Sequence, residues 1–241
     1  SMDQTQKPSF KRTELHMARS MCWHCRSEVT GEYFCEQCVK VQPLSKELDY
    51  FACMGLPRLL NIDTDALETK FYELSRTFHP DFYQNKTPTE QAISLGNAAL
   101  LNTAYRTLKD PIRRTEYLLQ LEAGSAKDIR TSPPADLFEE ILELQEDLEE
   151  FRSASRDEDP AGVEQLRAKL KADRDTLEQR QREMETRLFH LFDKWDALQN
   201  RTEQNEQVQT EKNAVLKEMR GILSNRTYLR NIVNDLTEAI G

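Results

Sequence analysis

A proline breaks the chain between two amphipathic runs, and that break limits the folds open to it. In the run 64–78, Leu67, Phe71, Leu74 and Phe78 recur at helical spacing, so one face is apolar and Lys70 and Arg76 stand off it. Pro80 disfavours the α conformation for the residue before it, so the helix must stop near His79, leaving His79 and Asp81 projecting at a bend. Thr87, Pro88 and Glu90 then form a capping box with proline at the first helical position, which opens a second helix. The unit is helix, polar His-Pro-Asp loop, helix.

Only 7 glycines occur in 241 residues, 38% of which are hydrophobic. With abundant charge, this mixture predicts a largely helical protein with room for two domains. The net charge of −9 argues against nucleic acid as a partner, because phosphates call for clustered Lys and Arg. No apolar run approaches the roughly 20 residues of a membrane span, so no membrane partner is expected. Ser1-Met2 reads as a cloning remnant and residues 1–20 as a disordered tail, with neither a secretory h-region nor an amphipathic targeting helix. The expected location is the cytoplasm, or the mitochondrial matrix if a transit peptide has been removed. Self-association is left open.

Four of the five cysteines form two knuckles, Cys22-Trp23-His24-Cys25 and Cys35-Glu36-Gln37-Cys38, joined by a short polar loop containing Gly31. With no secretion signal the spacing favours a metal over disulfides, and four thiolates suit structural zinc over residues 21–41. An iron–sulfur centre or a redox dithiol shares that spacing. A closed four-sulfur site has no open coordination position, which disfavours catalysis by the metal. His24 is expected to face solvent, Trp23, Tyr33 and Phe34 to pack over the site or on the next domain, and Cys53 to be a small core residue.

After the linker 41–45 a first helix begins at Asp49-Tyr50-Phe51, and Asp63 or Thr64 caps the next. In the third helix Ala92, Leu95, Ala99, Ala104, Tyr105 and Leu108 are expected to pack on Leu67, Phe71 and Leu74. Asp110-Pro111 ends it, and a short fourth helix with Arg114, Tyr117, Leu118 and Leu119 stops at Gly124 as C′ glycine. Beyond Pro134 come three charged amphipathic helices. The first carries Leu137, Phe138, Ile141, Leu142, Leu144, Leu148 and Phe151. The second, over 163–195, has Leu166, Leu170, Leu177, Met184, Leu188 and Leu191 at heptad-like spacing. The third has Val215, Met219, Leu223, Tyr228, Ile232 and Leu236. Breaks are expected at 157–162 and 200–205. The helices must bury their stripes on one another as an antiparallel three-helix bundle over 134–241. His190 and Trp195 read as bundle packing.

Tyr50-Phe51, the helix bearing Lys70, the His79-Pro80-Asp81 loop, and the run of Asn102, Ala104, Tyr105, Leu108, Asp110, Pro111 and Arg114 resemble the J-domain of DnaJ-type co-chaperones. The resemblance implies a four-helix J-domain over 48–123. Followed by an acidic bundle and joined through Arg114, Tyr117, Leu118 and Leu119, and preceded by paired Cys-x-x-Cys, it is similar to the HscB family of iron–sulfur cluster biogenesis. That family's role implies a DnaK- or HscA-type chaperone contact at His79, Pro80, Asp81, Lys70 and Arg76. It implies an IscU-type scaffold contact at Phe138, Leu142, Glu143, Glu146, Glu150 and Tyr228. The helix before the loop departs from the family in being sparsely basic, with Glu68 and Glu73 interleaved.

From the residues alone, Phe138 and Leu142 read equally well as core, with the glutamates a solvated face. No Walker loop, Ser–His–Asp set or open metal site occurs, so no enzymatic activity is expected. Two other functions share these features: a J-protein with another client, and a zinc-containing helical interaction scaffold. A zinc ribbon that reads nucleic acid is disfavoured by the acidity.

Overall fold

The two cysteine knuckles are framed by the shortest elements among the described residues. Strands β1 (Ser20–Met21) and β2 (Glu28–Val29) pair antiparallel, Ser20 opposite Val29. A single bridge joins Phe34 to Val41. In the computed structural model residues 20–29, 33–44, 48–123, 129–154 and 158–241 are described, and beyond these short pairings they form helices and loops. The fold is all-α in character, as the composition predicts. The expected tail at 1–20 and the loop glycine Gly31 lie outside the described residues, apart from Ser20. So do Ser45, Gly124 and Asp157. The chain divides into two units, Ser1–Leu118 and Leu119–Gly241.

In the first unit, helix α1 (Tyr50–Cys53) is one turn capped by Asp49, whose carboxylate accepts from the Ala52 amide at 2.8 Å. Helix α2 (Thr64–Phe78) is capped by Asp63, and α3 (Pro88–Lys109) by the predicted capping box of Thr87 and Glu90. Between them Pro80–Tyr83 is a 3₁₀ turn. Leu67, Leu74 and Phe78 of α2 are buried, and Phe71 stacks on Tyr105 of α3 at 4.3 Å. Cys53 is fully buried, as expected.

The packing face of α3 corrects the sequence reading. Leu95 is 62% exposed, and Ala92 and Ala99 also face out. The buried positions are Glu90, Ser94, Asn97, Leu101, Ala104 and Leu108. Three polar residues therefore occupy buried positions, and all are satisfied: Glu90 accepts from the Thr87 amide at 3.1 Å. Ser94 donates to the Phe78 carbonyl at 2.7 Å, and Asn97 bridges the chain at residues 42–44. Helix α4 (Pro111–Ala123) follows, with Arg114 buried and donating to the Leu108 carbonyl.

In the second unit α5 (Phe138–Ser153), α6 (Pro160–Gln199) and α7 (Glu206–Ile240) make the expected bundle. Asp159 caps α6 through the Gly162 amide at 3.0 Å, and Asn205 caps α7 through Val208 at 3.0 Å. Val163, Leu170, Leu177, Met184, Leu191 and Leu198 are all buried, seven residues apart, the repeat of a seam that keeps facing its neighbour. They pack with Ile141, Leu144, Leu148 and Phe151 of α5 along the stretch to Met184, and with Leu229, Ile232, Val233 and Leu236 of α7. The turn between α6 and α7 falls at 200–205, as predicted. In place of glycine or proline, Gln204 donates to the Leu198 and Arg201 carbonyls at 3.0 and 2.9 Å, closing the helix end. Buried Lys212 donates to Gln204 at 2.7 Å and lies 5.6 Å from the Trp195 ring centre. Trp195 is fully buried, as read from the sequence. His190 is not packing; it is exposed beside a surface groove with Gln179, Arg182 and Arg187.

Candidate functional site

The knuckles are two copies of one backbone device. In the first, the Arg26 amide donates to the Cys22 carbonyl at 3.0 Å and the Cys22 amide to Ser27 at 2.7 Å. In the second, the Val39 amide donates to Cys35 at 2.8 Å and the Cys35 amide to Lys40 at 2.9 Å. The residue after each second cysteine takes a left-handed conformation, Arg26 at φ 65° and Val39 at φ 64°. Non-glycine residues pay for that geometry, so it persists where something else fixes the turn. Here the turn brings all four sulfurs within 4.8 Å of one another. Two of their edges, Cys22 to Cys38 and Cys25 to Cys35, measure 3.6 Å.

A tetrahedron with metal–sulfur bonds of about 2.3 Å has edges of about 3.8 Å, so the four thiols fit a metal ion. The thiols differ in how tightly they hold their protons. Burial pushes the Cys22 thiol upward, but the amides of Cys25 and His24 and the Gln42 side chain outweigh it and bring it down to about 6. Ser27 lowers Cys25. Against the lowering bond from Lys40, burial and the neighbouring sulfurs raise Cys38 to about 11. Crowded sulfurs compete for protons here, and a bound cation would let all four ionise. His24 is exposed, as expected, and Trp23 donates to the Val41 carbonyl at 2.7 Å. Tyr33 and Phe34 pack against Phe78 of α2, with ring centres 5.1 and 6.2 Å away.

The His79-Pro80-Asp81 loop stands in solvent on a fixed base. His79 Nδ1 accepts from the Asp81 amide at 3.2 Å and lies 3.4 Å from the Asp81 carboxylate. Below it, buried Tyr83 donates to the Thr77 carbonyl at 3.3 Å, and Gln91 of α3 donates to Gln84 at 2.9 Å. Both side chains of the loop remain exposed, His79 at 54% and Asp81 at 72%. Arg76 is exposed on α2 and Lys70 half-buried. Tyr72 and Phe82 are exposed apolar neighbours that the sequence analysis did not assign to the site. Phe82 follows the loop directly, and Tyr72 sits one turn from Arg76; an aromatic beside a projecting loop was the available signal.

On α5 the sequence left a choice between core and surface. Phe138 is 50% and Leu142 47% exposed, while Ile141 and Leu144 take the core. Glu146 and Glu150 are exposed on the same helix, and Glu143 is paired with Lys169 at 3.1 Å. Asp147 also holds Lys169, at 2.6 Å, and together the two carboxylates raise the lysine's pKa. The result is an apolar centre edged by acid on one helix. Tyr228, half-buried on α7, packs against the bundle core.

An exposed His-Pro-Asp loop between two helices, followed in the chain by a long helical bundle, is the arrangement on which the J-domain resemblance rests. In sequence the chain is similar to HscB co-chaperones. It is 34% identical over 157 residues to the mouse iron–sulfur cluster co-chaperone protein HscB, covering 63% of this chain and 64% of that protein. It is 34% identical to human HscB over 138 residues, 55% of this chain and 58% of that one. The Arabidopsis thaliana HscB homolog is 30% identical over 149 residues, 62% and 56% of the two chains. The chain thus spans about three-fifths of the length of these curated relatives. The crystal structure of human co-chaperone protein HscB shares the fold, with a TM-score of 0.57 at 24% identity over 90% of this chain and 97% of that one. No family model matches.

Proposed function

We infer that the protein is a co-chaperone of iron–sulfur cluster biogenesis that acts by contact and not by bond-making. Its J-domain, residues 48–123, would stimulate ATP hydrolysis by a DnaK- or HscA-type chaperone through His79, Pro80 and Asp81, with Lys70 and Arg76 beside them. Its bundle, residues 134–241, would hold an IscU-type scaffold on Phe138 and Leu142, rimmed by Glu143, Glu146 and Glu150, with Tyr228 on the last helix. Structural zinc at Cys22, Cys25, Cys35 and Cys38 completes the reading. The observation that carries it is the exposed His-Pro-Asp loop on a braced base, in a chain with HscB likeness in sequence.

The exposed pair Phe138 and Leu142 supports the scaffold surface, because large apolar side chains left in water on a helix whose other face is fully packed invite a partner. A chaperone thus biased by one contact while its client is presented by another couples the two binding events. The location proposed is the cytoplasm, or the mitochondrial matrix if a transit peptide has been removed; no described helix is long and apolar enough to cross a membrane.

The test is single-turnover ATP hydrolysis by DnaK-type chaperones with and without the protein, each repeated with an IscU-like scaffold. Synergy between the two is expected. Asp81→Asn should abolish stimulation and leave scaffold binding intact; a variant that still stimulates fully overturns the assignment.

A further inference from the structure

The tetracysteine element is tied to both flanks of the His-Pro-Asp loop, and one of the ties begins at a cysteine sulfur. Gln42, 3% exposed, donates from its side chain to Cys22 Sγ at 3.2 Å and to the Lys40 carbonyl at 3.0 Å. Its own carbonyl accepts from Asn97 Nδ2 at 3.0 Å, and Asn97 Oδ1 accepts from the Leu44 amide at 2.9 Å. Asn97 is 3% exposed and lies one turn along α3 from Ser94, which holds the carbonyl of Phe78, the residue before His79. The second tie is aromatic: Tyr33 meets the Phe78 ring edge-on and Phe34 stacks on it. The third is ionic: Lys40 pairs with Glu90 at 3.2 Å, and Glu90 is also the residue that closes the capping box at the start of α3.

Among its described residues the element making these ties has only a small core. Its buried cluster is Cys22, Val29 and Cys35, with Cys38 packed alongside. So small a core does not fold by burial, and the ion that gathers the four thiolates supplies the folding energy. Releasing the ion therefore releases Gln42, Tyr33, Phe34 and Lys40 from the residues on either side of the loop. We propose that metal occupancy of the tetracysteine site positions the His-Pro-Asp loop, with Asn97, Tyr33 and Lys40 as positioning residues that carry the coupling to α2 and α3. The ion is then more than a local staple: it makes J-domain geometry depend on metal loading. The functional meaning rests on the J-domain reading, but the coupling itself is measured without any chaperone.

The experiment is amide hydrogen exchange across the full chain, loaded with Zn²⁺ and then stripped by a chelator. Stripping is expected to quicken exchange at residues 78–83 and 90–97 roughly tenfold or more, while the amides of α5 to α7 keep their rates. Opening of residues 22–42 with 78–97 unchanged would overturn the proposal. Because stripping can loosen more than the ties, Asn97→Leu and Tyr33→Leu are made with all four cysteines intact and metal content verified. Loaded, each should already exchange faster at 78–83 and respond less to stripping. If both keep the loaded wild-type rates and the full response, the coupling does not run through these contacts. Failure of the loaded wild type to stimulate a chaperone would be a separate result, counting against the J-domain reading alone.

Discussion

The tetracysteine element and the bundle are stabilised by opposite means. In the element the buried cluster is three residues with a fourth alongside, two backbone turns are left-handed, and four sulfurs converge on one point. In the bundle thirteen buried side chains form one cluster, drawn from all three helices and spaced along α6 by sevens. The first has a core too small to fold by burial and four thiols that fit an ion, so it should answer to metal and acid; the second depends on apolar area and so answers to the size of each core side chain. A protein that joins the two can lose the geometry of one end without unfolding the other.

The largest effect should come from the metal. Chelation, or Cys35→Ser, is expected to abolish protection of residues 22–29 and 33–42; in zinc-finger peptides a structural zinc ion supplies about 10–16 kcal/mol at neutral pH. Far-ultraviolet circular dichroism from the bundle should be nearly unchanged. Acid should act in the same direction, because protons compete with the ion for thiolates, so metal release measured by a colorimetric chelator should rise as pH falls. If the bundle melts with the element, the contrast fails.

The next effect lies in the bundle. Leu170 is fully buried on the heptad seam, and Leu170→Ala should cost about 2–5 kcal/mol in urea unfolding while metal content stays stoichiometric. A smaller change is expected at the exposed pair on α5. Phe138→Ser with Leu142→Ser should shift stability by about 0.5 kcal/mol or less, yet weaken binding of an IscU-type scaffold at least tenfold by calorimetry. A large loss of stability instead would mean that the pair serves the core. The smallest effect is reserved for Lys169→Gln. Its pairs with Glu143 and Asp147 lie at the surface, and the thermal midpoint should barely move in moderate salt.

Much of the fold was legible because its signals are local. Asp63, Thr87, Asp159 and Asn205 cap α2, α3, α6 and α7, and each cap bonds amides two or three residues ahead. The knuckle spacing was equally plain, since Cys-x-x-Cys reaches one ion from one turn. The inner face of α3 was misread for the converse reason. Leu95 looks like core and Asn97 does not, but Asn97 is buried by partners more than fifty residues away in the chain. Hydropathy ranks side chains by their cost in an apolar medium and carries no record of distant partners that cancel that cost. The same limit applied at His190, where apolar neighbours suggested packing and the helix turned the ring to solvent.

The sequence by itself determined where the helices start and stop, that a proline would hold His79 and Asp81 at a bend, and that four cysteines could close on one ion. These follow from dihedral preference, capping and spacing, all of which act within a few residues. Only the tertiary structure decided which flank of each amphipathic helix faced inward. It exposed Phe138 and Leu142 while burying Ile141 and Leu144, and it set the tetracysteine element against Phe78 and Asn97. A helix carries several candidate faces within a turn of one another, and the choice among them belongs to the surfaces that pack against it.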